Sequence, residues 1–367
     1  MTVITAVFEI RDAEPERRAL EIAVEQSHEL PTAVAPEESL HSLARVVSVG
    51  TREDGVAVAT IEFPTELAGG ELTQLLILLI GNVSLQNGVR LIDFAIDDDL
   101  AQAIGGGPRL GTAGIRRRVA AHGRPLLATA LKPVGLPTAA LATMAYDLAA
   151  GGIDLIKDDQ GLGNQLWSPF AERVELVAAA VAKANADHGT SAVYLPAIAG
   201  PGDVFVERVQ QAVDLGAAGA LLMPGISGFD RIAEAGRILG DDRIIYSHPS
   251  FLGGFTASET HGISPEVVFG LITRLAGADA VIFPSYGGRF SLTPEQCAGV
   301  AENAARDFAG LKPILPSPGG GMSIDRVPEL VAHYGADVLL LIGADLHRGG
   351  NLRAAAERFR EAAESAV

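Results

Sequence analysis

From residue 125 onward the chain alternates a short apolar run with a helix-like stretch eight times, and few folds accommodate that pattern. The runs are Leu126–Leu131, Ile153–Lys157, Ala192–Ile198, Gly219–Met223, Arg243–Ser247, Ala280–Phe283, Pro313–Pro316 and Val338–Ile342. Helical patterns such as Pro169–Ala184, Val204–Leu215, Pro265–Leu275 and Leu352–Ala363 lie between them. Apolar runs without polar alternation read as strands buried on both faces, which is how parallel strands under crossover helices are built. Eight such units predict a closed (β/α)8 barrel over an open doubly wound sheet. All eight strands of a barrel end at one mouth, so polar residues at those ends are candidates for chemistry.

The first hundred residues follow a different order. Val3–Ile10 reads as a strand, Glu14–Val24 as a helix, and Val46–Val49 with Val56–Phe63 as a hairpin around Glu53-Asp54-Gly55. Leu72–Ile80 reads as a helix and Arg90–Ile96 as a last strand. This β-α-β-β-α-β succession predicts a ferredoxin-like α+β domain, an open sheet with helices on one face. The glycines of Gly105-Gly106-Gly107-Pro108 mark a connector, giving an N-terminal domain over 1–105 and a barrel over 106–367. A chain of 367 residues has room for both, since a barrel takes about 250.

A net charge of −17 argues against nucleic acid or an anionic membrane as partner. It leaves phosphorylated small molecules open, because local amides can hold them. The single cysteine, Cys297, excludes an intrachain disulfide and a cysteine-rich metal site. No charged-then-apolar leader opens the chain, and the apolar run around Leu75–Ile80 is far too short to span a bilayer. A soluble, cytoplasmic protein is expected.

Three polar residues stand at the end of the second apolar run, in Gly151-Gly152-Ile153-Asp154-Leu155-Ile156-Lys157-Asp158-Asp159-Gln160. Lys132 follows the first run, His248 the fifth, and Ser285-Tyr286-Gly287-Gly288-Arg289 the sixth. Gly319-Gly320-Gly321 follows the seventh and Gly343-Ala344-Asp345 the eighth. Glycine loops after the last two strands are where a phosphate commonly sits in a barrel; the plainer alternative is a turn into the next helix. Lys132 and Lys157 lie on neighbouring strands and are expected to share one cavity. A desolvated lysine loses its charge readily and becomes a base, a Schiff-base nucleophile or a group that adds carbon dioxide. A carbamate beside Asp159 would form a hard-cation site suited to magnesium. The alternative is an ion pair of Lys157 with Asp158 or Asp159. His41 and His261 read as surface or core residues, and Trp167 and Phe170 as packing at a helix entrance.

The stretch Gly151–Gln160 resembles the RuBisCO large-subunit motif Gly-Gly-x-Asp-x-x-Lys-Asp-Asp-Glu. His122-Gly123-Arg124-Pro125-Leu126-Leu127, leading to Leu131-Lys132-Pro133, is similar to the family's first barrel strand with its catalytic lysine. Ile80-Gly81-Asn82-Val83 and Ala35-Pro36-Glu37-Glu38-Ser39 resemble the asparagine and glutamate motifs of its N-terminal domain, and Gly343–Asn351 its eighth loop. The resemblance implies a dimer, or a higher oligomer, with shared active sites, in which Glu37 and Asn82 of one subunit complete the barrel of the other. It implies carbamylated Lys157 binding Mg2+ with Asp159 and Gln160, and Lys132 as the acid/base of an enolisation.

The chain also departs from carboxylating members. No lysine stands in the sixth loop, Val134 replaces the second lysine of Lys-Pro-Lys, and Pro249 stands where an arginine binds phosphate. The strand-six histidine is replaced near Phe283, and Pro318 stands where a serine is expected. Gln160 replaces the metal-binding glutamate and removes one negative charge, so the metal is either held more weakly or left more Lewis-acidic; Asp158 swinging in is an alternative. These differences predict a RuBisCO-like (form IV) protein, not a carbon dioxide-fixing enzyme. The expected substrate is a phosphorylated keto-sugar or keto-sugar acid, its phosphate held by Gly319, Gly320, Gly321, Gly343 and Ala344. The expected catalytic residues are Lys132, Lys157, His248 and Arg289, the last through its fork on a substrate carboxylate. The expected outcome is a decarboxylase or transcarboxylase/hydrolase of the 3-oxo-isoapionate-phosphate type. Methylthioribulose-phosphate isomerase or diketo-methylthiopentyl-phosphate enolase is the alternative, and a non-catalytic sugar-phosphate-binding barrel the rival of another class.

Overall fold

A computed structural model describes residues 2–290 and 292–367. The N-terminal sheet consists of β1 (Val3–Ile10), β2 (Arg45–Thr51), β3 (Ala57–Pro64) and β4 (Val89–Ala95), in the order β4-β1-β3-β2 with every pair antiparallel. Strict alternation gives the sheet one buried face: Ile4, Ala6, Phe8 and Ile10 of β1 lie beside Ala57, Ala59, Ile61 and Phe63 of β3. The helix α1 (Pro15–Ser27) buries Ala19, Ile22, Ala23 and Gln26, the i, i+3, i+4, i+7 stripe of an amphipathic helix. The buried Gln26 amide donates to the carbonyls of Ile77 and Leu78 at the end of α2 (Leu72–Ile80), and its oxygen accepts from Val83 N. The connectivity and order are those of the expected ferredoxin-like unit.

The barrel strands, in order, are Leu126–Leu131, Leu155–Asp158, Val193–Leu195 with Ala197–Ile198, Gly219–Leu222, Ile244–Ser247, Ala280–Pro284, Leu315–Gly319 and Leu339–Leu341. All recorded barrel pairs are parallel and the eighth strand pairs with the first. The third strand is interrupted at Pro196, whose carbonyl still accepts from Leu221 N at 2.8 Å. The seventh strand differs most from expectation, running two residues later at its start and reaching Gly319. Pro313 and Ile314 are spent on anchoring, since Pro313 O accepts from Thr112 N and Ile314 N donates to Ala304 O. Gly319 is therefore paired with Pro284 at a strand end and is not a free loop residue.

Alternation sorts the barrel strands into two layers. Leu126, Ala128, Leu155, Val193, Leu195, Leu221, Ile244, Tyr246, Ala280, Ile282, Leu315 and Leu339 pack together inside the barrel. The intervening Leu127, Ile156, Tyr194, Leu222, Ile245, Val281 and Leu340 face the helices. The base of the barrel is closed by two buried carboxylates. Asp154 accepts from Leu127 N and from both terminal nitrogens of Arg124, and Asp279 accepts from the backbone of Leu110, Gly111 and Ile245. The barrel also supplies the N-terminal sheet with an added parallel strand, Gly262–Ile263 against Arg90 and Leu91 of β4. Phe94 packs edge-on to Phe308, and Arg306 pairs with Asp93 at 2.5 Å, so the two units share one continuous core.

Arg274 fixes the approach to the seventh strand. Arg274 is 1% exposed, and its guanidinium donates to the carbonyls of Asn303, Arg306, Leu311 and Lys312. No carboxylate shares these contacts, and burial lowers its pKa to about 10. Arg274→Met would leave several buried carbonyls without donors, each worth about 1–3 kcal/mol. We expect a loss of about 3 kcal/mol or more in urea unfolding, read from the midpoint at unchanged slope. A shift below about 0.5 kcal/mol, the range of ordinary surface substitutions, would contradict this role.

Candidate active site

The site is built by extending the inward-facing phase of each strand by one step. On the first strand Leu126 and Ala128 face inward, and the same phase reaches Ala130 and then Lys132. On the second strand Leu155 is followed by Lys157, which pairs in register with Ala130. The fifth strand continues from Ile244 and Tyr246 to His248, the seventh from Leu315 through Ser317 to Gly319, and the eighth from Leu339 to Gly343. A Cβ on Gly343 would come within 3.4 Å of Lys132 Cε, so the eighth loop passes directly over that side chain.

Lys132 Nζ donates to Asp159 Oδ2 at 2.7 Å, and Lys157 Nζ lies 4.0 Å from Asp159 Oδ1. Two cations thus face one carboxylate. Burial alone would raise the Asp159 carboxyl, but the Lys132 hydrogen bond and the charges of both lysines hold it below the usual carboxylate range. Lys157 is 2% exposed, and its only hydrogen bond among the described residues runs to Asp158 O at 3.3 Å. Burial, together with the Lys132 charge and against the pull of Asp159, lowers its ammonium to about 8.

Asp158 has the opposite phase and an opposite role. It is fully buried among the helices, accepting from Arg173 Nε at 3.0 Å, Tyr194 OH at 2.8 Å and Ala197 N at 3.1 Å. Asp158 therefore cannot swing into the mouth without abandoning Arg173, which corrects the alternative in which it replaces a metal ligand. Gln160 is exposed, and its side-chain carboxamide contacts the Ser250 hydroxyl. Ser250 in turn lies 2.7 Å from His248 Nδ1. Burial, with the Lys157 charge beside it, pushes the imidazole down to about 3, so His248 is neutral. Burial and Lys132 also lower His347 in the eighth loop.

The two glycine loops are joined. Gly320 and Gly321 have φ of 96° and 98°, conformations that favour glycine, and Gly320 O accepts from Arg289 N at 2.8 Å. Asp345 accepts from Ile324 N at 3.0 Å, linking the eighth loop to the helical turn after the seventh. Gly319 to Gly321 and Gly343 with Ala344 thus form one rim. Arg289 is exposed, its guanidinium 5.6 Å from the Phe290 ring centre, and it makes no ion pair among the described residues. Glu37 and Asn82 are likewise exposed, and Asn82 donates to Glu25. Neither makes a recorded contact with Lys132, Lys157 or Asp159 of its own chain among the described residues. His41 and His261 bond locally, to Glu38 O and Ser258 Oγ, and Phe170 is buried under Arg173.

Ser250, Arg173 and Tyr194 escaped the sequence reading. The pattern His248-Pro249-Ser250 drew attention to its histidine and proline but not to its serine, and Arg173 sits inside an ordinary helical pattern. Among the described residues, no group of three or more His, Cys, Asp or Glu could hold a metal ion. The oxygen donors at hand are Asp159 and Gln160, and a low-pKa amine at Lys157 that carbon dioxide would convert into another anionic donor. That donor set fits a hard cation.

Comparison with known proteins places this geometry in a family. The model of the ribulose bisphosphate carboxylase large chain, catalytic domain, matches residues 111–367. The 5-methylthioribulose-1-phosphate isomerase of Rhodospirillum rubrum is 41% identical over 349 residues, 94% of this chain and 90% of that protein. The 2,3-diketo-5-methylthiopentyl-1-phosphate enolase of Geobacillus kaustophilus is 33% identical over 295 residues, 79% of this chain and 70% of that protein. The crystal structure of a RuBisCO-like protein from Rhodopseudomonas palustris matches with a TM-score of 0.88 at 38% identity, covering 100% of this chain and 98% of that one. The chain belongs to the RuBisCO large-chain family, as a RuBisCO-like protein of the form IV type.

Proposed function

We propose that this protein is an enolising isomerase of a phosphorylated keto-sugar, with 5-methylthioribulose 1-phosphate as substrate. The observation that carries the reading is the Lys132–Asp159–Lys157 cluster inside the mouth, in a chain 41% identical to an isomerase of that substrate. The enolase reaction on the diketo phosphate is the second reading, supported by the Geobacillus relative and sharing the same first step. A sugar-acid phosphate substrate rested on Arg289 as carboxylate partner, and an exposed Arg289 beside Phe290 lends it no support.

In this reading Lys132 moves the proton. As amine it takes the proton from the carbon next to the carbonyl, and as ammonium it returns it to another carbon, which isomerises the chain. Asp159 steadies the ammonium at 2.7 Å. Neutral His248 offers an N–H to a substrate oxygen, and the rim of Gly319, Gly320, Gly321, Gly343 and Ala344 receives the phosphate through backbone amides. Lys157 as carbamate, Asp159 and Gln160 would hold Mg2+, which when bound supplies Lewis-acid stabilisation of enediolate charge. Glu37 and Asn82, exposed in the single chain, reach substrate from a second copy, so the working unit is a homodimer or a larger assembly of dimers. The domains divide at residue 105/106.

Incubated in D2O with 5-methylthioribulose 1-phosphate, Mg2+ and bicarbonate, the protein is expected to exchange a carbon-bound proton and form an isomeric ketose phosphate. Carbon dioxide release from keto-sugar acid phosphates without such exchange would overturn the assignment. Turnover of neither would leave the non-catalytic binding role. Lys132→Met should lower kcat by about 10²–10⁴ with KM little changed, the size of a lost general acid–base.

Lys157 also sets a stability balance. Its folded pKa of about 8 lies below the 10.5 of a free lysine, so below pH 8 the fold pays for charging a buried amine. The cost is about 3 kcal/mol, and it fades as pH rises from 8 toward 10.5, where the unfolded chain also loses its proton. Without bicarbonate or metal, Lys157→Met should therefore raise stability by up to about 3 kcal/mol at pH 7 and by little at pH 10.5, measured by urea unfolding. A variant less stable than the parent at pH 7 would show that the amine is not under strain.

A further inference from the structure

Arg173 stands in the first turn of the helix Phe170–His188 and is completely buried. Its guanidinium reaches three separate points of one loop. Nε donates to Asp158 Oδ2 at 3.0 Å, Nη2 to Gly163 O at 2.7 Å and Nη1 to Ser168 O at 2.7 Å. Asp158 ends the second strand, Gly163 lies midway, and Ser168 stands two residues before the helix. One side chain thus holds the loop at its start, middle and end, and that loop carries Asp159 to Lys132.

Residues 159–169 contain no helix or named strand, only turns and an isolated bridge between Gln165 and Ser168. Several of their hydrogen bonds close the loop on itself: Leu162 N to Asp159 O at 2.9 Å, Gly163 N to Gln165 Oε1 at 2.9 Å, and Phe170 N to Asn164 Oδ1 at 2.8 Å. Bonds of that kind shape a loop without attaching it to the barrel. Arg173 makes the attachment, and Asp158 extends it to the third strand by accepting from Tyr194 OH and Ala197 N. Thr138 Oγ1, 3.0 Å from Ser168 Oγ, adds one more bond at the far end. Neutralising Asp158 does not require so much. A buried ion pair stabilises little over an apolar pair of the same volume, because desolvation of the two charges offsets their attraction. What uncharged side chains would not supply is a planar fork that meets two carbonyls and a carboxylate at fixed angles.

We propose that Arg173 is a positioning residue: by fastening Asp158, Gly163 and Ser168 to one guanidinium, it sets where the loop presents Asp159 to Lys132. Among the described residues it makes no recorded bond to either of them, and it acts through the backbone that joins Asp158 to Asp159. Alternation sends the two carboxylates to opposite sides of the strand; Arg173 fixes the level at which the second one stands. The inference concerns the Lys132–Asp159 geometry and holds whichever phosphorylated substrate the site takes, so its failure and that of the isomerase assignment are separable.

Arg173→Met alone would strand the Asp158 carboxylate without its partner and unsettle the fold, so the deciding variant joins it to Asp158→Asn. The urea midpoint of that double variant is expected close to the parent's. Hydrogen exchange at the Leu162, Gly163, Ser168 and Phe170 amides should be faster by about tenfold or more, while amides of the first and second strands keep the parent's rates. In protein labelled with 13Cε-lysine and assigned with Lys132→Met, the Lys132 resonance should move and those of Lys183 and Lys312 should stay. Arg173→Lys keeps a charge beside Asp158 but cannot span both carbonyls, and should show the same fast loop and the same Lys132 displacement. It decides alone where the double variant does not fold. Parent exchange rates in either folded variant would overturn the proposal and reduce Arg173 to a counter-ion; so would a fast loop that leaves the Lys132 resonance in place.

Discussion

An amine placed where water cannot reach it governs this structure. Lys157 continues the inward phase of its strand into the barrel, where its ammonium finds one backbone carbonyl and a carboxylate 4.0 Å away. A charged group held with so few partners is costly, and the neighbouring residues determine what becomes of it. Asp158 faces the other way and is consumed by Arg173, Tyr194 and Ala197, so it cannot neutralise the lysine. Asp159 divides its attention with Lys132. The result is an ammonium that loses its proton near pH 8 instead of near 10.5, within reach of becoming a carbamate, a base or a ligand.

The alternation that builds the barrel also builds the site, which is why much of it was legible. Lys132, Lys157, His248, Gly319 and Gly343 are the next inward-facing positions after the barrel's interior layer, and a reader who counts by twos along each apolar run arrives at them. The N-terminal β-α-β-β-α-β order and the eight strands followed from the same periodicities. The seventh strand was misplaced because Pro313 and Ile314 look like strand residues and serve as anchors.

What escaped lies in relations that no spacing encodes. Asp158 and Asp159 are adjacent and chemically identical, yet alternation sends one to the helices and leaves the other at the mouth. The partnership of Gln160 with Ser250 spans 90 residues and two loops, and depends on how close the fourth loop's Gly225 lets the fifth approach. Arg289 carried a role in the sequence that its exposed position does not support. Among the described residues Glu37 and Asn82 make no contact with their own barrel's lysines, and the part proposed for them requires a second copy of the chain.

The central claim is that the burial of Lys157 makes it the one lysine that reacts with carbon dioxide. The protein has four lysines, at 132, 157, 183 and 312, which makes the question direct. Protein equilibrated with 13C-bicarbonate and Mg2+ near pH 8 should show a single carbamate resonance by 13C NMR, absent when residue 157 is methionine. A spectrum with no carbamate, or with one that survives that substitution, would contradict the account.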